Sequence, residues 1–346
     1  KMDSIDPPAE GYYWWVGCGI DTMEYQLNQY GSPYTLFPEI HTDDQTGDFY
    51  LDYMAGSNST EGWGGINWAR YDSVPISVNT PDTIWVTSTA NTGPGSLPDA
   101  LETIGSCGIV GFNLSAEDTI CLSEELVINH GIHIMGQEEN PTIISGSDQS
   151  GIFHVSDNAN VRFQNLVLIH GNCENGGAIY LGEEAIAEVD GVTIKDNKAV
   201  QSGGGIYCGT NAKLILSKTT VSTNRACKGG GICLGSFASM ETDPVNRCNV
   251  FHNLAEYGND FFGYNQSKIY LDTCTLVEPN SAIASSANSM DFDILHGKNQ
   301  LINADAFVSP DGDNDNTGMS PDSPLKNIDL ATALITGNAA DPATVW

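Results

Sequence analysis

Gly176-Gly177-Ala178-Ile179-Tyr180 recurs as Gly203-Gly204-Gly205-Ile206-Tyr207 and again as Gly229-Gly230-Gly231-Ile232-Cys233. The three isoleucines lie 27 and 26 residues apart. An asparagine precedes each copy, at Asn172, Asn197 and Asn224, and Asn253 continues the series. Ahead of each asparagine stands a short β-prone run: Val167-Leu168-Ile169, Val192-Thr193-Ile194, Thr220-Val221 and Val250-Phe251. Two signals phased at one period identify a repeat architecture, and that reading precedes any other.

A period of about 26 residues is too short for two packed helices with their loops, and each internal glycine would weaken a helix by about 1 kcal/mol. The period fits one coil of a solenoid built from three short strands, each alternating apolar-in and polar-out. Equivalent residues then stack at the spacing of paired strands, so Ile179, Ile206 and Ile232 form one column. Gly177, Gly204 and Gly230 allow sharp corners or close backbone approach. Stacked asparagines satisfy one another and the turn backbone. Cys248 and Cys274 stand one repeat apart, which leaves them to stack as neighbours or to form a disulfide. Cys208 and Cys233 miss the isoleucine register by one residue and are expected on opposite faces, unpaired. The expected fold is all-β, a right-handed parallel β-helix over residues 81–305.

The paired GG-[AG]-I and upstream asparagine motifs resemble the repeat of polymorphic outer-membrane adhesins and autotransporter-like β-helix proteins. Ile84-Trp85-Val86-Thr87, followed by Asn91-Thr92-Gly93-Pro94-Gly95-Ser96-Leu97-Pro98-Asp99-Ala100-Leu101, resembles the opening of many bacterial surface β-helices: a strand, a GPGSLR-type turn and a short capping helix. Pro98 stands where that pattern has Arg, and it suits a first helical turn. Residues 306–346 carry a second opening of this kind. Phe307-Val308-Ser309-Pro310-Asp311-Gly312-Asp313-Asn314-Asp315 leads to a capping helix expected over 327–336, then to a first strand at Ala343-Thr344-Val345-Trp346. This section is therefore expected to begin a second β-helix. Residues 1–80 are rich in Trp, Tyr and Gly, read as short strands, and resemble the end of a jelly-roll-like domain of bacterial surface proteins. Lys1-Met2-Asp3 opens no signal peptide, and both ends read as cuts in a longer chain. The resemblance implies an extracellular or cell-surface location. Its fold hosts adhesins, lyases and hydrolases alike.

The chain has 13 Lys+Arg against 44 Asp+Glu and a formal charge of -31. That balance excludes nucleic acid, whose phosphates require a basic surface, and it repels an anionic membrane. No apolar run approaches the roughly 20 residues that cross a bilayer, so no transmembrane segment is expected. The nine cysteines form no CxxC pair or zinc spacing.

Asp311, Asp313 and Asp315 alternate on a glycine-containing loop, a pattern that suits Ca2+ as well as a solvated turn. Hydrolysis of a polysaccharide would require paired carboxylates about 5–9.5 Å apart. The strand-adjacent acids Asp190, Asp196, Asp243 and Asp272 lack the motifs of the polygalacturonase-like hydrolases, and bases such as Lys195, Lys198, Lys213, Arg225 and Lys228 are few. The seven histidines show no ligand spacing. Asn58, Asn113 and Asn265 stand in N-glycosylation sequons. The expected function is a non-catalytic structural or adhesive module of a large surface or filament-forming protein. Its partners would be other copies, other surface proteins or glycans. The alternatives are a carbohydrate-binding module, with Trp14, Trp15, Trp63 and Trp68 as its platform, or a polysaccharide lyase or hydrolase.

Overall fold

The computed structural model describes the strands at residues 12–18, 21–24, 47–57 and 67–78, and then residues 82–265, 267–285, 290–337 and 342–346. Two compact units divide between Pro81 and Asp82. In the first unit, Tyr12–Cys18 lies between Asp21–Glu24 and Gly47–Ser57, and Gly47–Ser57 pairs on its other side with Asn67–Val78, all antiparallel. Trp14 and Trp15 fall on an inner strand of this sheet and Trp68 on an edge strand. Trp63 and Asn58 lie outside the described residues.

The second unit is a parallel β-solenoid. Its chain winds through three parallel sheets of eight, seven and seven strands, and a fourth sheet of four strands is added over the middle coils. One coil shows how. Leu166–Ile169 belongs to the eight-stranded sheet, Asn172–Asn175 to the added outer sheet, Ile179–Leu181 to a seven-stranded sheet, and Ile186–Asp190 to the other seven-stranded sheet. Strand alternation does the sorting. Ile179 and Leu181 are buried with Tyr180 outward between them, and Ala187 and Val189 are buried with Glu188 exposed between them.

Ile179 pairs in register with Ile206, and Ile206 with Ile232. The same column begins at Leu126 and Phe153 and continues through Phe261 to Ala284. All three isoleucines are fully buried, and each stabilises the stack by about 1.5–3 kcal/mol relative to an exposed side chain. Corners are made by left-handed backbone, including Gly176, Gly203, Gly229 and Gly258 before the isoleucine strands and Asp196, Thr223 and His252 after the eight-stranded sheet. The glycine that follows each of the first three glycine corners has a different task. A Cβ on Gly204 would collide with the carbonyl oxygen of Gly230, one coil below.

Two short helices pack into the solenoid core. Leu97–Thr103 has Ser96 as N-cap, its Oγ accepting from Asp99 N at 3.3 Å, and it buries Leu97 and Ala100 in the core. Ile328–Leu334 buries Leu330, Ala331, Ala333 and Leu334 in that same core. Residues 306–346 are the section expected to open a second β-helix. They keep the strand, helix, strand order, with Ala306 bridged to Val345 in parallel, but they belong to one compact unit with the solenoid. The apolar face of the second helix leaves water by packing into that core.

The expected relation between Cys248 and Cys274 is corrected as well. An irregularity after Cys248 sets it beside Leu271, while Cys274 pairs with Val250. Both thiols are free and fully buried. Cys208 pairs with Leu234 and Cys233 with Tyr207, the expected one-residue offset.

Candidate functional site

Asn197, Asn224 and Asn253 are buried in consecutive coils and hydrogen-bond directly to one another. Asn224 Oδ1 accepts from Asn197 N and Nδ2 at 3.0 and 2.9 Å, and Asn253 Oδ1 accepts from Asn224 N and Nδ2 at 3.0 and 3.0 Å. Their remaining amide protons reach Leu168 O, Ile194 O and Val221 O of the preceding coil. Asn172, expected in this series, lies outside it. It pairs with Lys198, which leaves Gly171 at the ladder position, and Gly171 N donates to Asn197 Oδ1 at 2.7 Å. Asn172 turns outward and donates to Asp148 O at 2.9 Å.

The ladder ends on Asp260, which sequence reasoning missed. Its Oδ1 accepts from Asn253 N and Nδ2 at 3.2 and 3.0 Å, and Cys274 Sγ lies 3.6 Å from Oδ2. The carboxyl is completely buried, and that burial pushes its pKa up to about 6 against the hydrogen bonds from Thr275 and Asn253. Its signal in the sequence was the loss of the glycine triplet in Gly258-Asn259-Asp260.

The aspartate loop docks near this end. Asp315 lies 3.3 Å from Lys298 Nζ and 3.8 Å from Nδ1 of the buried His252, whose Nε2 is 2.8 Å from Asn299 Oδ1. Asn299 Nδ2 in turn donates to Asn314 O at 2.9 Å. Burial lowers the pKa of His252. Asp313 Oδ1 accepts from Asp315 N at 3.0 Å. Among the described residues no three His, Cys, Asp or Glu side chains converge as a metal cage.

The other acids are separately engaged. Asp190 accepts from Ser217 Oγ at 2.7 Å, Asp196 from Thr223 Oγ1 at 2.8 Å, Asp243 from Val245 N at 2.7 Å, and Asp272 from Thr273 Oγ1 at 2.9 Å. They stand on different strands and corners. Among the bases, Lys198 pairs with Asp148 at 3.0 Å, Lys213 with Glu241 at 3.0 Å and Arg225 with Asp329 at 3.3 Å. Of the sequon asparagines, Asn113 is exposed. Asn265 is buried, with Oδ1 accepting from Met240 N at 2.9 Å, which removes it as a glycan acceptor.

Outside the isoleucine column runs a second one: Val127, His154, Tyr180, Tyr207, Cys233 and Phe262. The rings of His154 and Tyr180 are 4.5 Å apart and those of Tyr180 and Tyr207 5.3 Å apart. Its upper end opens into a cleft of about 560 Å³ between the first helix and the first coil, lined by Leu101, Glu102, Glu124, Glu125 and Val127 among others. The tyrosines were visible beside the repeated isoleucines, but their stacking depends on register. No protein-family model, no curated protein and no solved structure matches this chain. What the geometry defines is a class, the parallel β-solenoids, with a polar ladder inside and an aromatic column outside.

Proposed function

We propose that the chain is a non-catalytic, extracellular structural and adhesive module of a large surface or filament-forming protein, a right-handed solenoid in the sense usual for parallel crossovers. The observation that carries this reading is the unbroken register of seven positions from Leu126 to Ala284. Stacked coils of this kind make a stiff element whose stability sums over neighbours, while its strand faces stay free to carry contacts. The acids and bases on those faces are used locally, as pairs and turn caps, which supports a scaffold over a polysaccharide lyase or hydrolase.

A module of this kind tolerates the loss of a coil, because each coil contacts only its neighbours. Deletion of residues 206–231 joins Gly205 to Ile232 and puts Ile232 in the position that Ile206 holds. The shortened protein is expected to remain folded and to unfold cooperatively. Incubation of the full chain with uronate and neutral polysaccharides is expected to release no new reducing ends or unsaturated sugars. Turnover of any of these polymers overturns the reading.

A further inference from the structure

We infer that one long face of the solenoid, where the chain turns from the eight-stranded sheet to the isoleucine sheet, binds the same face of a second copy of this chain, antiparallel and related by a two-fold axis. The inference rests on the module reading above and names its partner. Charge order is the first argument. No lysine or arginine occurs between Arg70 and Arg162, whereas residues 191–240 hold six of them against the single acid Asp196. The fold brings both extremes to this one face. Glu124, Asp148 and Glu174 stand on it in three successive coils, and Lys198 and Lys228 in the next two. A two-fold axis through the coil of Glu174 reverses that order on the partner. The coil of Glu124 then meets that of Lys228, the coil of Asp148 meets that of Lys198, and each contact occurs twice.

The second argument is that these charges are available. Glu124, Lys195 and Lys228 are exposed and form no ion pair among the described residues. Lys198 and Arg225 meet one acid each, Asp148 at 3.0 Å and Asp329 at 3.3 Å, and both remain more than half exposed. Shape is the third argument. The coils of Glu124 and Asp148 pass between the sheets without a strand, through residues 122–125 and 146–152. The coils that follow insert Asn172–Asn175, Lys198–Ser202, Arg225–Lys228 and Leu254–Tyr257. The face therefore steps outward close to where its charge turns from acid to base. Under the two-fold axis the raised basic strands lie over the lower acidic turns. A shallow groove of about 350 Å³ beside Lys198 and Arg225 also holds Val200, 73% exposed, an apolar centre within a charged rim.

Magnitudes set the strength of the contact. Copies of net charge -31 repel one another, but at about 0.15 M salt the Debye length is about 8 Å, which screens distant charge and spares direct contacts. The acidic excess elsewhere disfavours other pairings, since like charges would meet. Five coils at a spacing of about 4.8 Å make a face about 20 Å tall. Two such faces bury on the order of 1,000 Å², the low end for a specific contact, and each exposed ion pair contributes little. The dimer is therefore weak, with a Kd on the order of 10–100 µM.

The test is sedimentation velocity of the full chain from about 5 to about 500 µM, in about 0.15 M and about 1 M salt. A concentration-dependent dimer is expected at the lower salt, and at least about tenfold weaker association at the higher. Lys228→Glu and Glu124→Lys each set like charges together twice and are each expected to weaken the dimer at least about tenfold. Both substitutions in one chain exchange the charges and are expected to restore affinity to within about threefold of the parent, a rescue that a misfolded variant would not show. Carbodiimide coupling followed by peptide mapping is expected to join Glu124 to Lys228. Within one chain these residues lie four coils apart, about 19 Å, so the bond reports the dimer. A chain that stays monomeric, a dimer indifferent to salt, or a failed rescue overturns the proposal. A monomer that instead binds dextran sulfate through Lys228 assigns the basic strands to an anionic polymer and also overturns it. None of these outcomes bears on the scaffold reading, which the coil deletion tests separately.

Discussion

Asp260 occupies the position that the preceding coils give to Gly205 and Gly231, and its carboxylate replaces the next asparagine of the ladder. Burial raises its folded pKa to about 6, above the ordinary carboxylate value near 3.9 of the unfolded chain. The folded state therefore binds the proton more tightly. The stabilisation is complete below the unfolded value and is lost as pH rises through about 6. Asp260→Asn keeps an acceptor for Asn253 without a charge. It is expected to stabilise the protein at pH 7.5 by up to about 3 kcal/mol and to have little effect at pH 3.5. Urea unfolding at the two pH values checks this, and equal effects at both would sink it. His252 acts in the opposite sense: its folded pKa is lowered, so its contribution is lost as pH falls through that value. A second pair of variants tests the ladder. Asn224→Ala orphans the buried Asn197 N–H and Ile194 C=O and is expected to cost about 2–4 kcal/mol, against under about 1 kcal/mol for Asn172→Ala outside the ladder.

At the scale of the element, the glycine corners and the flat strands answer to different rules. Gly203 needs its positive φ, whereas Gly204 needs the absence of a Cβ against the Gly230 carbonyl. Gly204→Ala is accordingly expected to destabilise by about 2–4 kcal/mol, because backbone above backbone cannot move aside. Gly105→Ala, with open space around its Cα, is expected to stay within about 0.5 kcal/mol. Thermal melts of the two variants give the comparison. The strand motifs were legible because alternation is local: Ile179, Tyr180 and Leu181 declare their faces in three residues. The ladder was half legible. Asn197, Asn224 and Asn253 follow the corners Asp196, Thr223 and His252, but in the coil before them Gly171 follows His170 and displaces Asn172 outward. Spacing alone does not reveal a one-residue slip at a corner.

For the whole solenoid unit, stability depends on the two helices that pack into its core. Open ends expose core and unpaired strand edges, and such edges invite pairing with other chains. Leu97 in one helix and Leu330 in the other are both essentially inaccessible. Leu97→Asp and Leu330→Asp each bury an unpaired carboxylate, and each is expected to cost about 3 kcal/mol or more. Both variants should bind more of a hydrophobic dye and form larger species in light scattering. A monodisperse variant with unchanged melting would show that its helix does not seal the core.

The repeat alone determined that residues near 176–234 coil into a solenoid and which isoleucines stack, because a period and an alternation are properties of neighbouring residues. It also determined that the chain is strongly acidic, without zinc spacing, and equipped with a capping-helix signal at each end. Tertiary structure alone decided that the second opening shares one core with the first solenoid. It also decided that Cys274 meets Val250, that Asp260 ends the ladder, and that Val127, His154, Tyr180 and Tyr207 line one face. Most of these depend on pairing between residues 24 to 39 positions apart, and the Asp260 contact joins residues seven apart across a corner. A bulge or corner shifts that register by one residue, and composition does not record it.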